Sequence, residues 1–151
     1  MTSRNDAAVV TGTASGRIRR TRRLGRLAVA GLVATLAAMV ATTLAAALAR
    51  RVGVDFEIPD GGETIPLSGF AVVTGFFSLV GVAIAAALLR WSARPAQRFV
   101  GTAMTLTAIS LVPPLLSGAD TATTTALLGL HLVAATVMIP TLARSLRSRT
   151  E

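Results

Sequence analysis

The chain contains no cysteine, which removes thiol nucleophiles, disulfide exchange and thiolate metal sites from its chemistry. It has no tyrosine and a single histidine, His131, so most candidates for general acid–base work are missing. Lysine is missing as well: all fifteen basic residues are arginine. Together with the abundance of alanine, that bias reads as the coding habit of a GC-rich genome rather than as chemistry selected position by position. Acids number seven, leaving a net charge of +8. Such a charge points to nucleic acid when it covers one soluble face. Here the arginines stand between and outside long apolar runs, with no aromatics interleaved, so nucleic acid is not an expected partner.

What the chain does have is uncharged length. Residues 27–49, LAVAGLVATLAAMVATTLAAALA, carry no charge, with Arg26 before them and Arg50 and Arg51 after. About 20 apolar residues at ~1.5 Å each cross a hydrocarbon layer of ~30 Å as a helix. Further apolar runs cover 67–89, 99–117 and 121–143. The expected fold is all-α: an antiparallel four-helix transmembrane bundle over residues 24–144. A disordered basic cytoplasmic tail is expected over 1–23, and a second cytoplasmic tail over 145–151. The first run is much longer than the 7–15 residues of a signal-peptide core, so it reads as a retained helix.

Arginine placement gives an orientation. Residues 17–26 hold six arginines, including the interfacial anchors Arg22, Arg23 and Arg26. They suit a positive-inside anchor and also anionic lipid, worth roughly 1 kcal/mol per arginine near the surface. Arg90 with Trp91, and Arg144, are the anchors expected at other span ends. With the N-terminus inside, thirteen arginines fall on the cytoplasmic side and two, Arg50 and Arg51, outside. Both termini are therefore expected in the cytoplasm of a protein of the plasma membrane.

The one long connection, residues 50–66, alternates apolar and polar over Val54-Asp55-Phe56-Glu57-Ile58 and carries the turn signal Asp60-Gly61-Gly62. A short extended or hairpin element over the outer end of the bundle fits, with Phe56 and Ile58 toward the helices. Asp55, Glu57, Asp60 and Glu63 could gather a cation. A solvated edge, partly neutralised by Arg50 and Arg51, is the simpler expectation, and no metal or cofactor is assigned.

Ionisable residues inside a membrane usually mark a transport path, and the four runs hold no Asp, Glu, Lys or Arg. His131 is the exception, about 15 Å into the fourth run. Pro113 and Pro114 interrupt the third run and lack the amide hydrogens that would bond the carbonyls of Ile109 and Ser110. A neutral His131 donating to the layer of Ser110 and Thr107 would satisfy both helices. A ligand or proton site in the same layer is the alternative. Pro140 is expected to bend the fourth helix. Small residues recur along the first helix (Gly31, Ala34, Ala38, Ala41, Ala45) and the second (Gly75, Ser78, Gly81, Ala85), as they do where membrane helices pack closely.

The pattern resembles an actinobacterial family of small four-helix integral membrane proteins catalogued as a domain of unknown function. The matching features are the arginine-rich start, a first span ending in arginine before Gly53-Val54-Asp55, and a Gly-Gly loop. The last span adds His131-Leu132-Val133-Ala134-Ala135, Ile139-Pro140 and Leu142-Ala143-Arg144. The likeness covers roughly residues 20–145. It implies a four-helix membrane domain and brings no activity. The expected function is a non-catalytic structural or accessory component of the cell envelope, in contact with lipid and another membrane protein. The alternative is a small transporter or ligand-binding protein using His131, Ser110 and Thr107. An enzyme is not expected, because no nucleophile with a base, metal set or phosphate loop is present.

Overall fold

The computed structural model describes residues 3–58 and 63–147, without the side chains of 3–17, Arg19 and Ile58. Asp60, Gly61 and Gly62 of the expected turn, and the tail beyond Arg147, lie outside the described residues. Five helices and two short strands follow one another: α1 (Ser3–Arg51), β1 (Glu57–Ile58), β2 (Glu63–Thr64), α2 (Leu67–Trp91), α3 (Pro95–Ser110), α4 (Val112–Leu116) and α5 (Thr121–Arg147). α3 and α4 together form one apolar length, so four helical stretches are long and apolar enough to cross a membrane.

α1 departs from expectation at its start. Residues 3–23, expected as a disordered tail, are helical from Ser3 onward. No proline precedes Pro59, and alanine and arginine are good helix formers. The costly nucleus is already supplied by the apolar span, so each added residue extends an existing helix. α5 likewise continues past 144 to Arg147, and Pro140 lies inside it without ending it.

α3 begins at Pro95, where a missing N–H costs nothing in the first turn. The third apolar run does not bend through its prolines. It breaks at Leu111, and Pro113 and Pro114 fall in the first turn of α4. The Leu111 amide tightens the end of α3 by donating to Ala108 O at 3.3 Å. Asp120 starts α5: its two carboxylate oxygens accept from the amides of Ala122 and Thr123, each at 3.1 Å.

α1 packs most extensively against α2 and α5, and α3 against α5 and α2. Contacts along α1 and α2 run in opposite senses. Arg20 meets Arg90, Gly31 faces Val82, Met39 faces Gly75, and Thr42 meets Thr74. One core joins Leu27, Ala34 and Ala38 of α1 with Ala85 of α2, Phe99 of α3 and Met138, Leu142 and Leu146 of α5. A second, at the other end, joins Ala46 of α1, Phe56 and Leu130 of α5.

The outside is as apolar as the inside. Val29, Leu36, Leu44, Phe76, Phe77, Met104, Leu115 and Leu132 are all at least half exposed. Such continuous greasy cover is far beyond the few hundred Å² that soluble monomers expose. Within, large side chains such as Leu27, Phe56, Phe99 and Leu142 share the core with small ones, and Ala34, Ala38, Ala46 and Ala85 are almost wholly buried. Large apolar residues inside and out, with alanines where helices meet, fit lipid as the surrounding solvent.

Candidate functional site

His131 is half-buried on α5. Its Nδ1–H donates to Leu127 O, one turn back in the same helix, at 2.8 Å. On α3, Ser110 Oγ donates to Thr107 O at 2.8 Å. The three residues expected to form a layer between helices therefore direct these hydrogen bonds within their own helices. The expected donation from His131 to helix three is replaced by a local bond. The physical reason is availability: a carbonyl four residues back is always in reach, and taking it requires no register between helices. Thr136 behaves the same way, its hydroxyl donating to Val133 O at 2.9 Å.

The hydroxyls that do meet across helices are on α1 and α2. Thr42 Oγ1 donates to Ala38 O at 2.8 Å and stands 3.1 Å from Thr74 Oγ1. A hydroxyl has one proton, so with Thr42's directed to Ala38 the cross-helix bond is donated by Thr74. Two turns away, Thr35 is 4% exposed and its hydroxyl has no hydrogen-bond partner. Ser78 of α2 is also buried. α1 and α2 thus share a seam of hydroxyls and small residues. Gly31 and Gly75 let the backbones close: a Cβ on Gly31 would stand 2.7 Å from a Val82 methyl, and one on Gly75 would stand 3.0 Å from Met39 Sδ.

The seam ends under the connection between α1 and α2. Glu57 and Ile58 pair antiparallel with Thr64 and Glu63. Phe56, just before β1, is fully buried with φ at +54°. Its ring meets Phe70 edge to face at 4.9 Å and joins the core with Ala46 and Leu130. A bulky residue at positive φ costs about 1–3 kcal/mol. Full burial of a phenylalanine contributes ~1.5–3 kcal/mol, enough to hold the strained backbone in place. Two hydrogen bonds tether this region: Ile65 N–H donates to Phe56 O at 3.2 Å, and the Arg50 guanidinium donates to Ile65 O.

Charge divides by end. Arg20 Nη2 donates to the Arg90 carbonyl at 2.6 Å, closing the C-terminus of α2 with a cation from α1. Arg22, Arg23 and Arg26 are exposed near it, as are Arg94, Arg98 and Arg144 at the neighbouring helix ends. Arg90 lies over the ring of Trp91, 5.8 Å from its centre, and that indole is 77% exposed. Among the residues whose side chains are described, this end presents no carboxylate. The opposite end holds Arg50 and Arg51 with Asp55, Glu57, Glu63 and Asp120. Hydrogen bonds from the Thr123 side chain and amide hold the exposed Asp120 carboxyl below its ordinary value. Among the described residues no three of His, Asp and Glu gather as a metal set.

A family model described as a family of unknown function, DUF6069, matches residues 22–148. The chain belongs to this family. The match takes in all four apolar stretches, the hairpin and the arginines from Arg22 to Arg147. No curated protein and no solved structure matches this DUF6069 chain.

The sequence puts the titratable His131 forward, whereas Thr35, Thr42 and Thr74 look ordinary, since threonine hydroxyls commonly bond back into their own helix. Thr42 does so and still serves a second partner. A signal existed: Thr35 and Thr42 are seven residues apart, so they lie on the face that also carries Gly31, Ala38 and Ala46.

Proposed function

We propose that this DUF6069 chain is a multi-pass protein of the cell membrane, an antiparallel four-helix bundle with both termini in the cytoplasm. Its role is that of a non-catalytic structural or accessory component acting through contact with another membrane protein. The observation that carries this reading is the distribution of side chains. Large apolar residues cover the outside, while alanine, glycine and threonine close the α1–α2 seam and no Asp, Glu or Arg is buried among the described residues. Ionisable groups within the membrane commonly mark ion and proton paths, and apart from His131 the four spans hold none. A protein that scaffolds needs a stable bundle and a surface.

The antiparallel arrangement rests on the opposite senses of the α1 and α2 contacts. The orientation rests on the thirteen-to-two division of arginines. Anionic lipid suits the exposed side chains of the arginine-rich end and adds roughly 1 kcal/mol per arginine close to the headgroups.

A second reading, a small ligand-binding or transport protein, draws support from one feature: the buried, unpartnered hydroxyl of Thr35. The layer of His131, Ser110 and Thr107 stays within this reading, because the bond from Nδ1–H to Leu127 O leaves Nε2 of the neutral ring as an acceptor.

The test is extraction of the full chain from native membranes into lipid nanodiscs, followed by mass spectrometry of what accompanies it. The accessory role predicts a stoichiometric companion protein that survives washing. Recovery of the chain alone would count against the role.

A further inference from the structure

We propose that Phe56 is a displaceable plug that closes one end of the α1–α2 seam and admits water to it when it swings out. Three observations converge on this residue. Its side chain is fully buried with Ala46, Phe70 and Leu130, at the end of the α1–α2 seam. Its backbone holds φ at +54°, a conformation disfavoured for a bulky side chain, so leaving the pocket relieves strain. Among the described residues, the segment that carries it is held by two antiparallel residue pairs, the Phe56–Ile65 amide bond, the Arg50–Ile65 contact and the Val54–Ala49 amide bond, and by no covalent or ionic tie. Gly53, at φ +95°, caps α1 three residues earlier, its amide and that of Val54 donating to Arg50 O and Ala49 O, so any movement of the Phe56 segment begins beyond Val54.

Beneath the ring the wall is suited to water. Ala46 lies in direct reach of Phe56, and Thr42 follows one turn deeper with its hydroxyl paired to Thr74. Thr35, two further turns in, has a hydroxyl that no protein group satisfies. A permanent apolar anchor would account for the burial of Phe56. It would not account for a strained backbone placed over a line of hydroxyls that includes one still wanting a partner. This inference depends on the fold alone and stands whether or not a companion protein exists.

The absence of native cysteine makes the test clean. A single thiol is introduced by Ala46→Cys, with Ala49→Cys as a second position on the same wall and Val52→Cys as an exposed control. Each full-length protein in nanodiscs is treated with a charged, water-soluble thiol reagent, which reacts only with hydrated thiolate. With Phe56 in place, the thiol at 46 is expected to react completely but at least tenfold more slowly than that at 52. Phe56→Gly, which removes the ring and suits the positive φ, is expected to raise the rate at 46 tenfold or more, and Phe56→Leu by less. Circular dichroism and gel filtration establish that each variant is folded. A thiol at 46 that stays unmodified while the control is consumed makes Phe56 a fixed anchor and overturns the proposal. So does a rate at 46 that Phe56→Gly leaves unchanged in a folded protein.

Discussion

Gly31→Ala is the sharpest single perturbation of the α1–α2 seam. The substitution improves local helix propensity by about 0.8–1 kcal/mol. Against that, the new Cβ would lie 2.7 and 2.8 Å from the two methyls of Val82. Valine is stiff at χ1 in a helix, with one rotamer strongly preferred, so it cannot rotate both methyls away. The helices must instead part by roughly half an ångström or more, disturbing the packing on either side. Overpacking of this kind costs about 1–3 kcal/mol. Taking the middle of that range, the net loss is about 1 kcal/mol, a fall of roughly 2–4 °C in Tm for a chain of this size. Two other glycines calibrate the argument. Gly75→Ala meets Met39 Sδ at 3.0 Å, but methionine is flexible and can give way, so it should be close to neutral. Gly81→Ala meets nothing within 4 Å and should melt at or slightly above the parent. The assay is thermal unfolding in one detergent, followed by circular dichroism and by the fluorescence of the single tryptophan. The expected order of Tm is Gly81→Ala, then Gly75→Ala, then Gly31→Ala. Gly31→Ala melting as high as Gly81→Ala would refute the close approach of α1 and α2.

His131→Leu should change Tm by less than about 0.6 kcal/mol equivalent, because the ring bonds only a carbonyl of its own helix; a loss of several degrees in the same melt would reveal a cross-helix partner. Thr42→Val and Thr74→Val, taken singly and together, should show a coupling of about 0.6 kcal/mol in a double-mutant cycle, and strict additivity would remove their hydrogen bond. Asp120→Ala should lower Tm at neutral pH by uncapping α5. Since the folded carboxyl sits below its unfolded value of about 3.9, its contribution is complete above that pH and fades as pH falls through the lower folded value. The gap between parent and variant Tm should therefore close in acid, and a gap that persists there would assign the effect to something other than the carboxylate.

The four long apolar helices were legible because bilayer thickness imposes a length that few other structures need, and charge-free runs of that length are rare. The start of α5 has a local cause, the Asp120 carboxylate that accepts from the amides of Ala122 and Thr123. Other features turn on distance. Nothing in residues 3–23 announces a helix; it exists there as the continuation of an apolar one. The alternation around Phe56 pointed toward burial of its ring but gave no sign of a positive φ, which follows from how the chain must turn to bring that ring between three helices. The candidate site was the least legible part. A titratable residue in an apolar run draws attention, whereas the threonines of α1 acquire meaning only when α2 is laid beside them.

The claim on which the rest depends is four membrane crossings with the arginine-rich end in the cytoplasm. One measurement addresses it: a reporter active on only one side of the membrane, fused after Glu151 in one protein and inserted within residues 60–63 in another. The expected result is a cytoplasmic signal from the C-terminal fusion and an external one from the insertion. Both reporters on the same side, or the reverse assignment, would contradict the account.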